Sequence, residues 1–309
     1  MRGPLSRKRR PALSVVVISY NMSRELPRTL LSLSPLFQAE IDESEYEIVV
    51  VDNGSKKPPI EQECQLISPN IRVLKHGRRS ASPVGAVNQG LEASRGINIC
   101  VMIDGARMAS PRLLASGLAA LRTSPKTVVG TLGFHLGREV QMRSVLKGYN
   151  EAAEDALLES VPWRNDGYCL FDISVPGGSS AGGWFRLPGE TNALLMSASQ
   201  WKKLGGYETK FASPGGGQAN HDMWRRACIN PGSEVVLLAG EATFHQFHGG
   251  IATNAVEPSN ADFKAEYQRI RGEAYKRPAV PFRLFGAFGP HHYPTLLTSL
   301  EIERERSRK

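Results

Sequence analysis

The chain has 309 residues, 41% of them apolar and 22% charged, a balance that excludes a fibrous, collagen-like or wholly disordered protein. Its formal net charge is +8, but Arg2, Arg7, Lys8, Arg9 and Arg10 supply five of those charges with no acidic neighbour, leaving an excess of three over everything that follows. A nucleic-acid-binding domain spreads its basic residues over a folded face that tracks phosphates, so no nucleic-acid partner is expected.

Residues 1–11 read as a basic flexible tail, either a solubilising leader or an electrostatic contact with anionic lipid. The apolar run after it, Leu13 to Ile18, is too short for a secretory signal and lacks a small-residue cleavage site. No stretch approaches the roughly 18 to 20 apolar residues of a membrane-spanning helix. Cys64, Cys100, Cys169 and Cys228 stand at least 36 positions apart, so no pair has the spacing of a zinc knuckle or a redox dithiol. The expectation is a reducing cytoplasm, at most a peripheral location at the inner face of the membrane through residues 1–10, and no disulfide.

Along the chain, Ser14 to Ser19, Tyr46 to Val51, Ile71 to Leu74 and Ile97 to Ile103 are apolar, largely β-branched runs that read as strands, the last with Cys100 in the core. Between them, Ser23 is placed to cap a helix carrying Leu26, Leu30, Leu33 and Phe37. Ser82 with Pro83 is placed to start one carrying Val87, Leu91 and Ala93, stopped by Gly96. Near-continuous apolar strands alternating with helices indicate an α/β fold with a mainly parallel sheet flanked by helices, whose substrate binds at the carboxyl ends of the strands. Further on come a strand at Val128 to Phe134, a polar helix at Asn150 to Ser160, and a Gly- and Pro-crowded loop at Val175 to Gly189. A strand at Ala193 to Ser197, a helix at Ser199 to Leu204, a helix at His221 to Cys228 and a strand at Val235 to Leu238 follow. From Glu257 the chain reads as a charged helix, a Pro- and aromatic-rich connector and a charged end.

The second strand runs directly into Asp52-Asn53-Gly54-Ser55, which puts a carboxylate at the mouth of the sheet, either to hold a base or ribose or to form an Asx turn. The fourth strand ends in Asp104-Gly105-Ala106, with Pro111 seven positions beyond Asp104. In order, SVVVISYN, YEIVVVDNGS, SPVGAVNQGLEASRG and NICVMIDGARMASP resemble the nucleotide-sugar half of the inverting family 2 glycosyltransferases of GT-A fold. ETNALLMSASQWKKLGGYE resembles that family's acceptor-side segment, and GGGQANHDMWRR falls where the family has its acidic catalytic motif. The resemblance spans residues 13 to 250 and rests on order and spacing.

The resemblance implies a GT-A domain over 12–256, with a nucleotide-binding half at 12–125 and an acceptor half at 126–256, followed by a helical extension at 257–309. It implies that Asp52 grips the nucleobase or ribose, with Ser19, Tyr20 and Asn21 lining the same pocket and Arg78 or Arg79 holding the nucleotide. The family's D-x-D motif holds ribose and a divalent metal, Mn²⁺ or Mg²⁺. Here Asp104 keeps the first carboxylate and Ala106 replaces the last. Charge on the departing diphosphate still has to be stabilised, so a second ligand is sought. His245 and His248 are the candidates, able to turn together at the Gly249-Gly250 bend, and Arg107 is an alternative cation.

An inverting transfer also needs a carboxylate base, and Asp222 is the candidate, with a helix-capping role as the competing reading. Asn220 stands at the family's usual base position by the downstream arginine spacing; His221 or Glu190 would then substitute. Trp184 is a candidate sugar-stacking aromatic and Trp201 a core residue; Gly177 to Gly183 reads as a lid, and His291 and His292 as surface residues. The implied enzyme moves a sugar from a UDP-, GDP- or dTDP-sugar to a hydroxyl of a glycan, a lipid-linked sugar or a small molecule, as in polysaccharide biosynthesis. A GT-A-like protein that binds nucleotide sugars without catalysis is the alternative, motivated by Ala106 and Asn220. A sugar-nucleotide pyrophosphorylase would need a basic, Gly-rich phosphate loop after the first strand, and Ser19 to Ser23 do not supply one.

Overall fold

The computed structural model describes residues 10–77, 80–249 and 260–308. The first four strands, β1 (Leu13–Ser19), β2 (Tyr46–Asp52), β3 (Ile71–Lys75) and β4 (Asn98–Met102), are joined by helices α1 (Leu26–Leu33), α2 (Glu61–Ile67) and α3 (Val84–Ala93). A short β5 (Arg107–Ala109) and α4 (Leu113–Leu121) lead to the long β6 (Thr127–Leu136). Then come α5 (Gln141–Ser144), α6 (Glu151–Glu159), β7 (Ser174–Pro176), β8 (Leu194–Ser197), α7 (Ala198–Leu204), α8 (Ala219–Ile229) and β9 (Glu234–His245). Helix α9 (Asn260–Arg271), β10 (Phe282–Gly286) and α10 (Tyr293–Arg306) complete the described elements.

One sheet runs β10-β9-β6-β8-β4-β1-β2-β3, with β5 added to β9 and β7 to β6. The ladders of β1 with β2 and β4, β2 with β3, and β9 with β6 and β10 are parallel, whereas β8 runs antiparallel between β4 and β6. The sheet is therefore mixed, two parallel blocks joined through one reversed strand. Every residue of β1 is buried, and the period of two sorts them. Val15 and Val17 share an apolar layer with Leu26, Leu30 and Leu33 of α1. Val16 and Ile18 share the other with Val84 and Val87 of α3 and Trp201 of α7.

Segments in both halves depart from the sequence reading. Strand β9 extends to His245 because Gly240, at φ 76°, allows a bulge in which Leu238 to Glu241 face the single Thr131 of β6. The aromatic connector contains β10, and α1 starts behind Glu25, with no side-chain cap and Pro27 in its first turn, not at Ser23.

The expected surface and lid features are corrected too. Trp184 is fully buried against Phe134 and Phe288, so it offers no face to a sugar, and His292 is 4% exposed beside Phe171. The Gly177 to Gly183 segment is fastened, not hinged: Gly177 N donates to Gly133 O at 2.8 Å, Ser180 Oγ accepts from Gly133 N at 2.9 Å, and Trp184 N donates to Ser299 Oγ on α10. Trp201 is core as expected, its indole N–H donating to Ile99 O, and all four cysteines are buried thiols.

Gly90 marks the closest approach of α3 to the sheet, since a Cβ there would lie 2.4 Å from Val16 Cγ1 and 3.2 Å from Val51 Cγ2. Alanine gains about 1 kcal/mol of helix propensity over glycine, but overpacking costs about 1 to 3 kcal/mol. We expect Gly90→Ala to lower stability by up to about 2 kcal/mol, seen as a reduced urea midpoint at unchanged slope; a rise in midpoint would refute this packing.

Candidate active site

The carboxyl ends of β1, β2 and β4 meet at one mouth. Ser19 pairs in register with Asp52, and Gly105 N, just past β4, donates to Ile18 O at 2.7 Å. The Asp52 carboxylate accepts from Gly54 N and Ser55 N, the Asx turn foreseen as its alternative role, and so fixes the loop that follows β2. Asn21, at φ 54°, clasps that loop: its N–H donates to Ser55 Oγ and its Oδ1 accepts from Lys56 N, both at 2.8 Å. Ser19, Asn21 and Asp52 thus stand together, and Tyr20 is 52% exposed beside them. Arg78 and Arg79 lie outside the described residues.

The bulged end of β9 crosses to the same mouth. It pairs His245 with Arg107 of β5 and with His135 of β6. Asp104 Oδ2 lies 3.1 Å from His245 Nε2 and 3.7 Å from His248 Nε2, and the two imidazole nitrogens are 3.1 Å apart. Small divalent ions hold ligands at about 2.1 Å, which sets neighbouring octahedral ligands about 3 Å apart, so these three atoms fit one face of such an ion. The donor chemistry fits as well. His245 Nδ1 bonds Gln141 Oε1, and the Gln141 amide also donates to His245 O at 3.0 Å. That bond leaves the Nε2 lone pair for Asp104's side of the ring. Burial, then the charge of Arg107, pushes the His245 imidazole down to about 4 against the pull of Asp104, which keeps it neutral, the form a metal ion requires of a ligand. Burial pushes the Asp104 carboxyl up, but His248, His245 and Arg107 outweigh it and hold it well below its ordinary value.

The His248 arm rests on a buried ionic platform. Glu154 of α6 accepts from Phe247 N at 2.6 Å, while Arg24 donates to Phe247 O, to Glu154 and to Asp155. Gln141 and Glu154 carry no motif in the sequence. Both act through residues about a hundred positions away, and only the folded arrangement reveals them.

On the opposite wall, Asp222 is 1% exposed and both its oxygens are taken, Oδ2 by Arg226 Nε at 2.8 Å and Arg271 Nη2 at 2.8 Å, Oδ1 by Arg271 Nε at 2.6 Å. It therefore ties α8 to α9. Helix α8 begins at Ala219, two residues earlier than expected, and this puts Asn220 and His221 ahead of Asp222 at the mouth. Asn220 Nδ2 donates to Glu190 Oε2 at 2.8 Å and to Thr191 O at 3.0 Å, and Asn220 Oδ1 accepts from Tyr207 O–H. Burial pushes the Glu190 carboxyl up, but His221, Arg107 and the Asn220 hydrogen bond together hold it below its ordinary value, so it is ionised at neutral pH. Arg107 Nη1 and Asn192 Nδ2 each come within 3.6 Å of one point above Gly133, so the guanidinium lies between the Asp104 cluster and the Glu190 wall.

The mouth gathers a carboxylate–histidine cluster just past the end of the fourth strand, and comparison with known proteins places the chain in a family. The family model described as Glycosyl transferase family 2 matches residues 14–175, slightly more than half of the chain. The chain belongs to glycosyl transferase family 2. Among solved structures, S. aureus TarS 1-349 in complex with UDP-GlcNAc superposes with a TM-score of 0.53 at 16% identity, covering 84% of this chain and 65% of that one. The UDP complex of the same protein gives 0.51 at 15%, covering 83% and 70%. A further S. aureus TarS structure gives 0.51 at 15%, covering 83% of this chain and 42% of that one. The likeness is one of fold, GT-A, and the present chain spans well under two thirds of the longer TarS chain. No curated protein matches the chain.

Two predictions follow from the charges around the mouth. Breaking a buried ion pair costs about 3 to 5 kcal/mol, and the partly exposed arginines favour the low end, so Asp222→Asn should lose about 3 kcal/mol of unfolding free energy. An unchanged denaturant midpoint would return Asp222 to the list of free carboxylates. Burial pushes the Glu154 carboxyl up to about 7, despite the Phe247 hydrogen bond and the guanidiniums of Arg24 and Arg28. A raised folded value gives stability that is present below the unfolded pKa of 4.5 and is lost as pH rises through about 7. At about 1.4 kcal/mol per pH unit between those values, the wild type should lose about 3 kcal/mol more than Glu154→Gln from pH 4.5 to 8. Denaturant titrations across that range measure the difference, and parallel curves for the two proteins would contradict it.

Proposed function

We propose that the protein transfers a sugar from a nucleoside diphosphate donor to a hydroxyl acceptor, a glycan or lipid-linked sugar, with inversion and with a divalent ion, Mn²⁺ or Mg²⁺, held by Asp104, His245 and His248. The observation that carries this reading is the convergence of those three ligand atoms within 3.7 Å, just past the end of β4, which β1 separates from the Asp52 end of β2. The S. aureus TarS structures with UDP-GlcNAc and UDP support a nucleotide-sugar donor, UDP being the first to try.

In this reading Asp52 and Asn21 hold the loop on which the nucleoside rests, with Ser19 beneath it and Tyr20 open to the base. Arg79 is assigned to the nucleotide from the sequence alone. When bound, the ion supplies positive charge to the diphosphate oxygens as the bond to the sugar breaks. Arg107, 6% exposed and with Nε 3.3 Å from Asp104 Oδ2, adds a fixed cation on the acceptor side of that charge. Gln141 keeps His245 in the tautomer that presents Nε2, and Glu154 with Arg24 keeps the His248 arm against the mouth. Among the described residues no helix is long and apolar enough to cross a membrane. A cytoplasmic location, with residues 1–10 touching an anionic membrane surface, remains part of the proposal on the strength of the basic run.

Thermal shift and calorimetry with UDP test the site. A ligand at a hundred times its Kd raises stability by about 2.7 kcal/mol, so saturating UDP with Mn²⁺ should raise Tm measurably. We expect Mn²⁺ to tighten UDP at least tenfold, and Asp104→Asn or His245→Ala to abolish that gain. UDP affinity indifferent to Mn²⁺ and Mg²⁺ in the wild type would remove the metal from the mechanism.

A further inference from the structure

We propose that Glu190 is the general base that takes the proton of the attacking hydroxyl, and that Asn220 is the residue that positions it; the inference rests on the transferase reading above.

An inverting displacement needs two ends. The leaving diphosphate departs on one face of the anomeric carbon, and the hydroxyl, losing its proton to a carboxylate, arrives on the other. The cationic end is the Asp104 cluster with Arg107. Around the rest of the mouth, Asp52 spends its oxygens on Gly54 and Ser55, and Asp222 spends both of its own on Arg226 and Arg271. Glu190 differs. Its side chain is 23% exposed, Oε2 accepts from Asn220, and Oε1 takes no hydrogen bond among the described residues.

The carboxylate is also held still. Gly189 N donates to Ser179 O at 2.8 Å and Gly189 O accepts from the Tyr275 hydroxyl, while Thr191 Oγ1 accepts from Thr131 N at 2.8 Å. The backbone is thus pinned on both sides of Glu190. Because Tyr207 O–H occupies Asn220 Oδ1, the Asn220 amide can turn only its N–H groups to Glu190, which fixes Oε2 and leaves Oε1 for a substrate. His221 Nδ1, buried without a hydrogen-bond partner, lies 3.6 Å from Glu190 Oε2, on the side away from the free Oε1. In the step itself the hydroxyl proton passes to Glu190 Oε1 and the oxygen forms its bond to the anomeric carbon. The carbon–oxygen bond to the phosphate breaks, and its electron pair leaves with the nucleoside diphosphate.

The test uses the full chain with Mn²⁺ and a panel of UDP-, GDP- and dTDP-sugars, water serving as acceptor and nucleoside diphosphate release as the readout. With the donor that gives the fastest wild-type release, Glu190→Gln should lose at least a hundredfold in turnover, within the range a general base supplies. Its affinity for UDP with Mn²⁺ should stay within threefold of wild type. Azide, a nucleophile with no proton to give up, should restore release by the Gln variant at least tenfold. Loss of turnover without azide rescue, or with lost affinity, makes Glu190 structural and overturns the proposal. An active wild type with Glu190→Gln within threefold of it overturns the base alone and leaves the transferase reading intact. No release by the wild type from any donor removes that reading, and this proposal with it.

Discussion

The bulge in β9 is the constraint on which the mouth depends. Its first half lies parallel between β6 and β10, where a regular strand would continue along the sheet and end away from β4. At Gly240 the chain takes a backbone conformation that leaves no space for a side chain, because a Cβ would sit 2.1 Å from Ala287 O. Past that point the strand trades β10 for β5 and arrives antiparallel to Arg107. One register shift therefore delivers His245 to Asp104, and the backbone continues so that Gln246 N bonds Ala106 O at 2.8 Å. Glu241, inside the bulge, is held by the hydroxyls of Ser110 and Tyr168 and by Arg112 N, so the detour buries no orphaned carboxylate.

Buried charge around the mouth divides into two kinds. Asp222 with Arg226 and Arg271, and Glu154 with Arg24, join elements that are distant in sequence and have their oxygens saturated. Asp104 and Glu190 are each left with capacity toward the opening. Saturated pairs fix geometry; unsaturated carboxylates are the groups whose affinity for protons, cations or hydroxyls can be used. This distinction comes from partners and not from residue type, since all four are acidic side chains at or near the ends of elements.

The same distinction explains what could be read from the chain. Strands β1 and β2 announce themselves because both faces are buried, which demands unbroken runs such as Val15-Val16-Val17 and Val49-Val50-Val51. The order of the strand runs, ending in Asp52 and Asp104, carried the resemblance from which the fold was legible. The reversed direction of β8 leaves no mark, since a buried strand looks the same either way. The second half of β9 is interrupted by Gly240 and Glu241, residues that argue for a turn until their partners are known. Asp222 looks like a free carboxylate because Arg271, which occupies it, lies 49 positions away. Trp184 and His292 look like surface groups because the C-terminal segment that covers Trp184 and carries His292 has little apolar periodicity of its own.

The replacement of the second acidic residue by Ala106 is then physically consistent with the histidines. Ala106 is fully buried in the apolar layer that includes Leu26 and Leu30, where an unpaired carboxylate would be costly. Two carboxylates would cancel the charge of a divalent ion, whereas one carboxylate and two neutral imidazoles leave one positive charge on the proposed site. Arg107 adds a second within 3.3 Å of Asp104. A diphosphate leaving group gains charge as its bond to the sugar breaks, so a site that keeps more positive charge stabilises the later stages of departure more than the bound donor. Under the proposed function, the exchange of an acid for an imidazole would move electrostatic work from holding the donor toward releasing its sugar, at the point where the β9 bulge places His245.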